Sequence, residues 1–288
     1  MELPFSLSGG TFPGYKSTGT DIPKGGRNQD SLMGVIGDGY IVIAVNDGCS
    51  GNPEQHLQSE LGALAGSQIV CSVFADIIES GQPLWETVTD EIVDQLSLIA
   101  VALSHGRKER LEHVVRKYLM FTSVVAVIGP EETTIATVGD GYYAINGGDL
   151  KRIGPYPDNQ PPYLGYLLYP NNYPRELLTF QKQVQLPTAD LQSLIMGSDG
   201  LGEVAASANK RLPGKSSLVG SLTSLLDNPR FFRGGKNPEN GALVPWLRGL
   251  NSSVSRIVFN PGNGKPDIEY SAPLIEDDYT CVLVKRTL

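Results

Sequence analysis

From Tyr40 to Val45 the chain reads Tyr-Ile-Val-Ile-Ala-Val, a short apolar run with no polar face. Such a run reads as a strand covered on both sides. It stops at Asn46-Asp47-Gly48, so the Asp47 carboxylate is held by the strand end and exposed by the turn. A strand over Ser31–Gly37 precedes it, joined through an Asp38-Gly39 hairpin turn. From Pro53 the period becomes helical, with Leu57, Leu61, Leu64 (or Ala65), Gln68-Ile69, Val73 and Ile77 on one face, until Gly81 and Pro83 end it. A second helix from Leu84 aligns Trp85, Val88, Ile92, Leu96, Ile99 and Leu103, and a short charged helix follows over residues 107–119.

The period then returns to two. Thr122–Ile128, Thr133–Gly139 and Tyr142–Asn146 are expected as a three-stranded meander. Leu178–Gln185 and Leu191–Gly197 follow as strands, and Tyr279–Lys285 closes the chain as another. Residues 201–253 read as mostly helical, Asn260–Lys265 as a turn, and residues 1–26 as an irregular lead-in. Residues 155–174, dense in proline and tyrosine, read as a loop or flap, in the plainer case a surface loop with its rings packed on proline. No repeat or linker divides the chain, so residues 1–288 are expected to form a single domain. Strands segregated from helices argue for an α+β fold, and a strand buried on both faces calls for two packed antiparallel sheets with helices outside.

A formal charge of −8 over 288 residues offers no basic stripe, so a nucleic-acid partner is not expected. An acidic protein that handles phosphate needs bound cations or a local basic group to offset its own field. Cys49, Cys71 and Cys281 are an odd count without paired spacing, which indicates neither a disulfide framework nor a zinc site. The amino terminus lacks a signal-peptide pattern, and no apolar stretch is read as reaching the ~20 residues of a membrane span. A cytoplasmic monomer with no membrane partner is the expectation. His56, His105 and His113 fall in or beside helices and are assigned no role.

Asp-Gly occurs four times, at Asp38, Asp47, Asp140 and Asp199, and a lone pair is an ordinary turn. Three of the four follow a strand-like run, whereas Asp30 and Asp277 precede one. Antiparallel neighbours bring the end of one strand beside the start of the next, so Asp30, Asp47, Asp140, Asp199 and Asp277 can meet at one rim. Clustered carboxylates raise one another's pKa unless cations join them. An all-oxygen set suits Mg²⁺ or Mn²⁺ better than zinc. Turn aspartates remain the competing reading of the same residues.

In order along the chain stand Asn-Gln-Asp (28–30), Val-Asn-Asp-Gly-Cys-Ser-Gly (45–51), Ser-Glu-Leu-Gly-Ala (59–63) and Thr-Ser-Val-Val-Ala-Val-Ile (122–128). Val-Gly-Asp-Gly (138–141), Gly-Ser-Asp-Gly-Leu (197–201) and Asp-Asp-Tyr-Thr-Cys-Val-Leu-Val (277–284) complete the series. Each is weak singly, but seven in order resemble the metal-dependent serine/threonine protein phosphatases of type 2C in their bacterial form. The resemblance implies a central β-sandwich flanked by helices on both faces, with a dinuclear metal site at one end. It makes Asp47 the carboxylate bridging two Mg²⁺ or Mn²⁺ ions, Gly48 a ligand through its carbonyl, and Asp199 and Asp277 further ligands. Asp30 would bind directly or through water, and Asp140 would hold a third, weaker ion. The implied reaction is hydrolysis of phosphoserine or phosphothreonine in a protein by a metal-activated water, without a phospho-enzyme.

This chain departs from the family pattern where substrate is handled. The family's phosphate-gripping arginine has its nearest counterpart in Arg27, closer to Asp30 than the pattern expects. Gln29 stands for the usual Glu, Cys49 for a eukaryotic His, Phe121 for Gly, Gly141-Tyr142 for Ser-Arg and Asp278 for Asn. In place of the family's Thr-x-Asp-His segment stands Asp-Asn-Gln-Pro-Pro-Tyr-Leu-Gly-Tyr (158–166). Two alternatives therefore stand beside the protein phosphatase: a phosphatase-fold binding module that keeps metals without efficient turnover, and a phosphatase of a small phosphorylated metabolite.

Overall fold

The computed structural model describes residues 2–15, 28–49, 58–232, 242–252, 254–259 and 266–287. Its centre is strand β3 (Tyr40–Gly48), every residue of which is buried except the half-buried Asp47. The pleat sends Ile41, Ile43 and Val45 one way and Tyr40, Val42 and Ala44 the other, and each set enters a different core. That is why the sequence shows no polar face here.

β3 lies in an antiparallel sheet of order β2–β3–β4–β5–β8, with β2 (Asp30–Gly37), β4 (Phe121–Ile128), β5 (Glu132–Val138) and β8 (Gln181–Pro187). A second antiparallel sheet has order β1–β12–β9–β6–β7. Its strands are β1 (Phe5–Phe12), β6 (Gly141–Ile145), β7 (Lys151–Ile153), β9 (Ser193–Gly197) and β12 (Tyr279–Arg286). Ile41, Ile43, Val124, Ile135, Leu194, Met196, Val282 and Val284 fill the space between the sheets. Outside the first sheet lie α1 (Glu60–Ser80) and α2 (Leu84–Leu103), whose Val70, Phe74, Val88, Ile92 and Leu96 meet Tyr40, Val42 and Val125. Outside the second lie α4 (Leu201–Ala206), α5 (Leu222–Leu226) and α6 (Leu243–Leu250). The charged α3 (Lys108–Tyr118) packs at the end of α2. The fold is α+β, a β-sandwich flanked by helices on both faces.

Phe74 is fully buried and holds Trp85 and Phe180 edge-on, with ring centroids 5.7 Å and 5.2 Å away. Phe74→Ala should cost about 3–5 kcal/mol, read as a lowered urea midpoint with an unchanged m-value.

Four local expectations need correction. Residues 5–12 are not an irregular lead-in: β1 pairs with β12 along its whole length. Glycine and serine hide that strand in the sequence, and Gly10 is there because a side chain would come within 2.8 Å of Val244 on α6. The meander is broken, since β6 leaves β5 and joins the other sheet beside β9. Gly139 (φ 88°) and Gly141 (φ 146°) make that crossing, and a Cβ at either would lie 2.4–2.5 Å from Thr122 or Val124.

The buried face of α1 includes the expected Val73 and Ile77, but at its N-terminal half it is Gly62, Ala63, Gly66, Ser67 and Val70, while Leu61 and Leu64 are exposed. Small residues let this helix sit against Tyr118 and Phe121, where larger ones would clash. By length and composition α1 could cross a membrane (mean hydropathy 1.7), contrary to expectation; 56% of that window is buried inside the fold. Fourth, a hairpin of β10 (Val254–Phe259) and β11 (Pro266–Ser271) follows the helical region. The expected turn at Asn260–Lys265 and helix start at Pro53 lie outside the described residues.

Candidate active site

One end of the sandwich gathers strand termini from both sheets. Asp30 opens β2 and is the register partner of Asp47 near the end of β3, which in turn pairs with Thr122 of β4. Asp140 sits in the crossing from β5 to β6, Asp199 follows β9, and Asp277 stands two residues before β12. Asp47, Gly48, Asp140, Asp199 and Asp277 line a single cavity of about 110 Å³ with Cys49, Thr122, Pro161 and Tyr163. Asp30 does not line it; it is 6% exposed and lies beneath. Arg27 lies outside the described residues.

The backbone that presents Asp47 leaves no room for a side chain at position 48. A Cβ there would come within 2.8 Å of the Ser59 carbonyl and 2.9 Å of the Gln29 carbonyl. The Gly48 and Cys49 N–H groups donate to Gln29 and Met120 carbonyls, both at 2.9 Å. Asp278 is not at the cavity. Its carboxylate accepts from Gly14 N–H (2.8 Å) and Gln29 N–H (2.6 Å), pinning the ends of two segments beside Asp30. Both Ser198 and Thr280 donate to Asp30 Oδ2, while buried Oδ1 has no hydrogen-bond partner among the described residues.

The electrostatics of the rim are uniform. Burial raises the carboxyl pKa of Asp47, and Asp199, Asp30, Asp140 and Asp277 push it further up. Burial also raises Asp30, against the hydrogen bond from Ser198. Asp140 is raised by burial with Arg152 opposing, and Asp199 by burial and then Asp140. Asp277 is pushed up to about 6 by burial, helped by Asp199. Asp47 and Asp199 are within hydrogen-bond reach of each other, so ionising both is costly without a proton or a cation.

A cation that satisfies this rim must take oxygen ligands. Among the described residues the donors are carboxylates and the Gly48 carbonyl, with no imidazole, which fits Mg²⁺ or Mn²⁺ in kind. The orphaned Asp30 Oδ1 and the facing Asp47–Asp199 pair point the same way. Among the described residues, no three His, Cys, Asp or Glu side chains are arranged to hold an ion as they stand.

The 155–174 segment borders this cavity, so the surface-loop reading gives way. Tyr156 hydroxyl donates to the Gly139 carbonyl at 3.3 Å, and Tyr163 is 8% exposed beside Cys49. Tyr163, Tyr166 and Tyr169 pack edge to edge on α2 and α3, and Tyr166 stacks on Tyr173 at 4.7 Å. Burial, first, and the Cys49 thiol hold the Tyr163 phenol above its ordinary pKa. Burial likewise raises the Cys49 thiol.

A family model described as Protein phosphatase 2C matches residues 20–232. The chain belongs to the protein phosphatase 2C family. Among solved structures, a bacterial serine phosphatase is 15% identical, covering 97% of each chain with a TM-score of 0.48. The serine/threonine phosphatase PstP/Ppp of Mycobacterium tuberculosis is 14% identical, covering 99% of each chain with a TM-score of 0.45. PppA of Pseudomonas aeruginosa is 14% identical, covering 99% of this chain and 98% of that one with a TM-score of 0.47. Comparison with curated proteins finds no match.

Sequence reasoning assigned nothing to Tyr163, Ser198, Thr280 or Asp278's two backbone bonds. Ser198 and Thr280 lie inside the quoted motifs and could have been weighed. Tyr163 had no motif to mark it in a protein phosphatase 2C, because its segment diverges there.

Proposed function

We propose that this protein phosphatase 2C hydrolyses phosphomonoesters, with phosphoserine and phosphothreonine in proteins as its substrates. The observation that carries the reading is the convergence of Asp47, Asp140, Asp199 and Asp277, from separate strand ends of both sheets, on one small cavity. Asp47 would serve two Mg²⁺ or Mn²⁺ ions, with the Gly48 carbonyl, Asp199 and Asp277 as further ligands. Asp140 would hold a third ion, and Asp30 would bind directly or through water. When bound, such ions activate water as a nucleophile and neutralise charge on the phosphoryl oxygens.

The chain's own contribution is positioning. Rigid strand ends fix the carboxylates, Ser198 and Thr280 orient Asp30, and Asp278 ties down the backbone that leads into it. Pro161 and Tyr163 of the 155–174 segment line one side of the cavity. Both sheets share one core, which supports a single catalytic domain.

The size of the site favours a protein substrate over an enclosed metabolite. A cavity of about 110 Å³ accepts a phosphoryl group but falls well below the ~300–1,000 Å³ that enclose a drug-sized ligand. The rest of the ester must lie outside. Phosphate release from phosphoserine and phosphothreonine peptides should therefore match or exceed release from sugar phosphates in kcat/KM. A strong preference for one small ester would favour the metabolite reading.

A further inference from the structure

A phosphate ester needs hydrogen-bond donors as well as cations, and the described wall of this cavity is short of them. Asp47, Asp140, Asp199 and Asp277 accept when ionised, and Pro161 offers nothing. The Gly48 and Cys49 N–H groups are already engaged with backbone carbonyls. Among the described residues, the side-chain donors at the wall are Thr122, Cys49 and Tyr163.

Tyr163 is the one that is held from outside the rim. Its ring packs with Ala100, Val115, Leu119 and Met120. It meets Tyr166 edge-on at 5.6 Å, and its carbonyl accepts from Tyr166 N–H at 3.0 Å. The phenol therefore has little freedom except rotation of its O–H. Tyr163 lines the cavity beside Cys49 and the rim aspartates. An anionic phosphate oxygen is a strong acceptor for a phenol O–H.

Building on the phosphomonoesterase reading, we propose that the Tyr163 hydroxyl is a catalytic donor to an oxygen of the bound phosphate ester. The segment that replaces the family's Thr-x-Asp-His stretch thus supplies a substrate contact of its own. No covalent step is involved. The packed ring keeps the phenol at the wall, and substrate supplies the acceptor.

The test compares wild type, Tyr163→Phe and Tyr166→Phe with Mn²⁺, using p-nitrophenyl phosphate and a phosphothreonine peptide, with inorganic phosphate as inhibitor. Phe keeps the ring and its packing, so melting temperatures should agree closely. Tyr163→Phe should lower kcat/KM on both substrates by about 10- to 100-fold, the scale of one hydrogen bond to a charged group, and weaken inhibition by phosphate. Tyr166→Phe, whose ring packs on the segment away from the cavity wall, should match wild type. A Tyr163→Phe protein with wild-type kcat/KM and phosphate inhibition would overturn this proposal alone. A wild-type protein that hydrolyses no phosphate ester would overturn the phosphatase reading, and this proposal with it.

Discussion

Asp47→Asn and Asp199→Asn should each lower metal-dependent hydrolysis of p-nitrophenyl phosphate by about 1,000-fold or more, the effect of losing several kcal/mol of charge stabilisation at the reacting centre. Asn keeps the shape of the side chain and removes one anionic ligand. Asp47 is where the loss should be most complete, because every other rim aspartate acts on it. The same substitutions should move metal-free stability the opposite way. Each removes a buried charge from a crowded set, so the variant without metal should melt at or above the wild-type temperature. A variant that is inactive because it is unfolded would melt lower, which separates the two explanations in one pair of measurements. Activity in Asp47→Asn close to wild type would remove this residue from the chemistry.

The second large effect is a pH dependence that metal reverses. Unfolded aspartates titrate near 3.9, whereas the folded carboxyls of Asp30, Asp47, Asp140, Asp199 and Asp277 titrate higher, Asp277 at about 6. Below the unfolded value both states are protonated and the rim costs nothing. As pH rises past it, the unfolded chain ionises first and the folded state retains more protons, so stability falls. Metal-free protein should accordingly lose stability from about pH 4 to beyond pH 6. A divalent cation takes the place of those protons, so its apparent affinity should climb over the same window. At a concentration of 100 Kd it adds about 2.7 kcal/mol, readable as a melting temperature several degrees higher. The shift should be large at pH 8 and small at pH 5. Equal shifts at both would mean that the rim carboxylates are not what the ion meets.

The parts of this account that were legible in the sequence are those set by local pattern. β3 shows its burial on both faces as an unbroken apolar run, and the aspartates are marked because each stands where such a run starts or stops. Antiparallel pairing then places them together, which needs no knowledge of side-chain detail. What failed was set by contacts distant in sequence. β1 is a strand because β12 offers it a ladder, while its own Gly9 and Gly10 argue for a loop. The inner face of α1 is chosen by close approach to Tyr118 and Phe121, which favours Gly62 and Gly66 over the leucines that hydropathy selects. β6 changes sheet through two glycines that look like ordinary turn residues. Tyr163 reaches the cavity only because its segment packs on α2 and α3.

The central claim is that the gathered carboxylates form a metal-dependent phosphomonoesterase. Its most direct test is the rate of p-nitrophenyl phosphate hydrolysis by the purified protein with Mn²⁺, with Mg²⁺ and with EDTA. The account predicts turnover with either ion and background rates in EDTA, restored when the ion is returned. Hydrolysis that persists undiminished in EDTA, or none with either ion while calorimetry shows the ion bound, would contradict it.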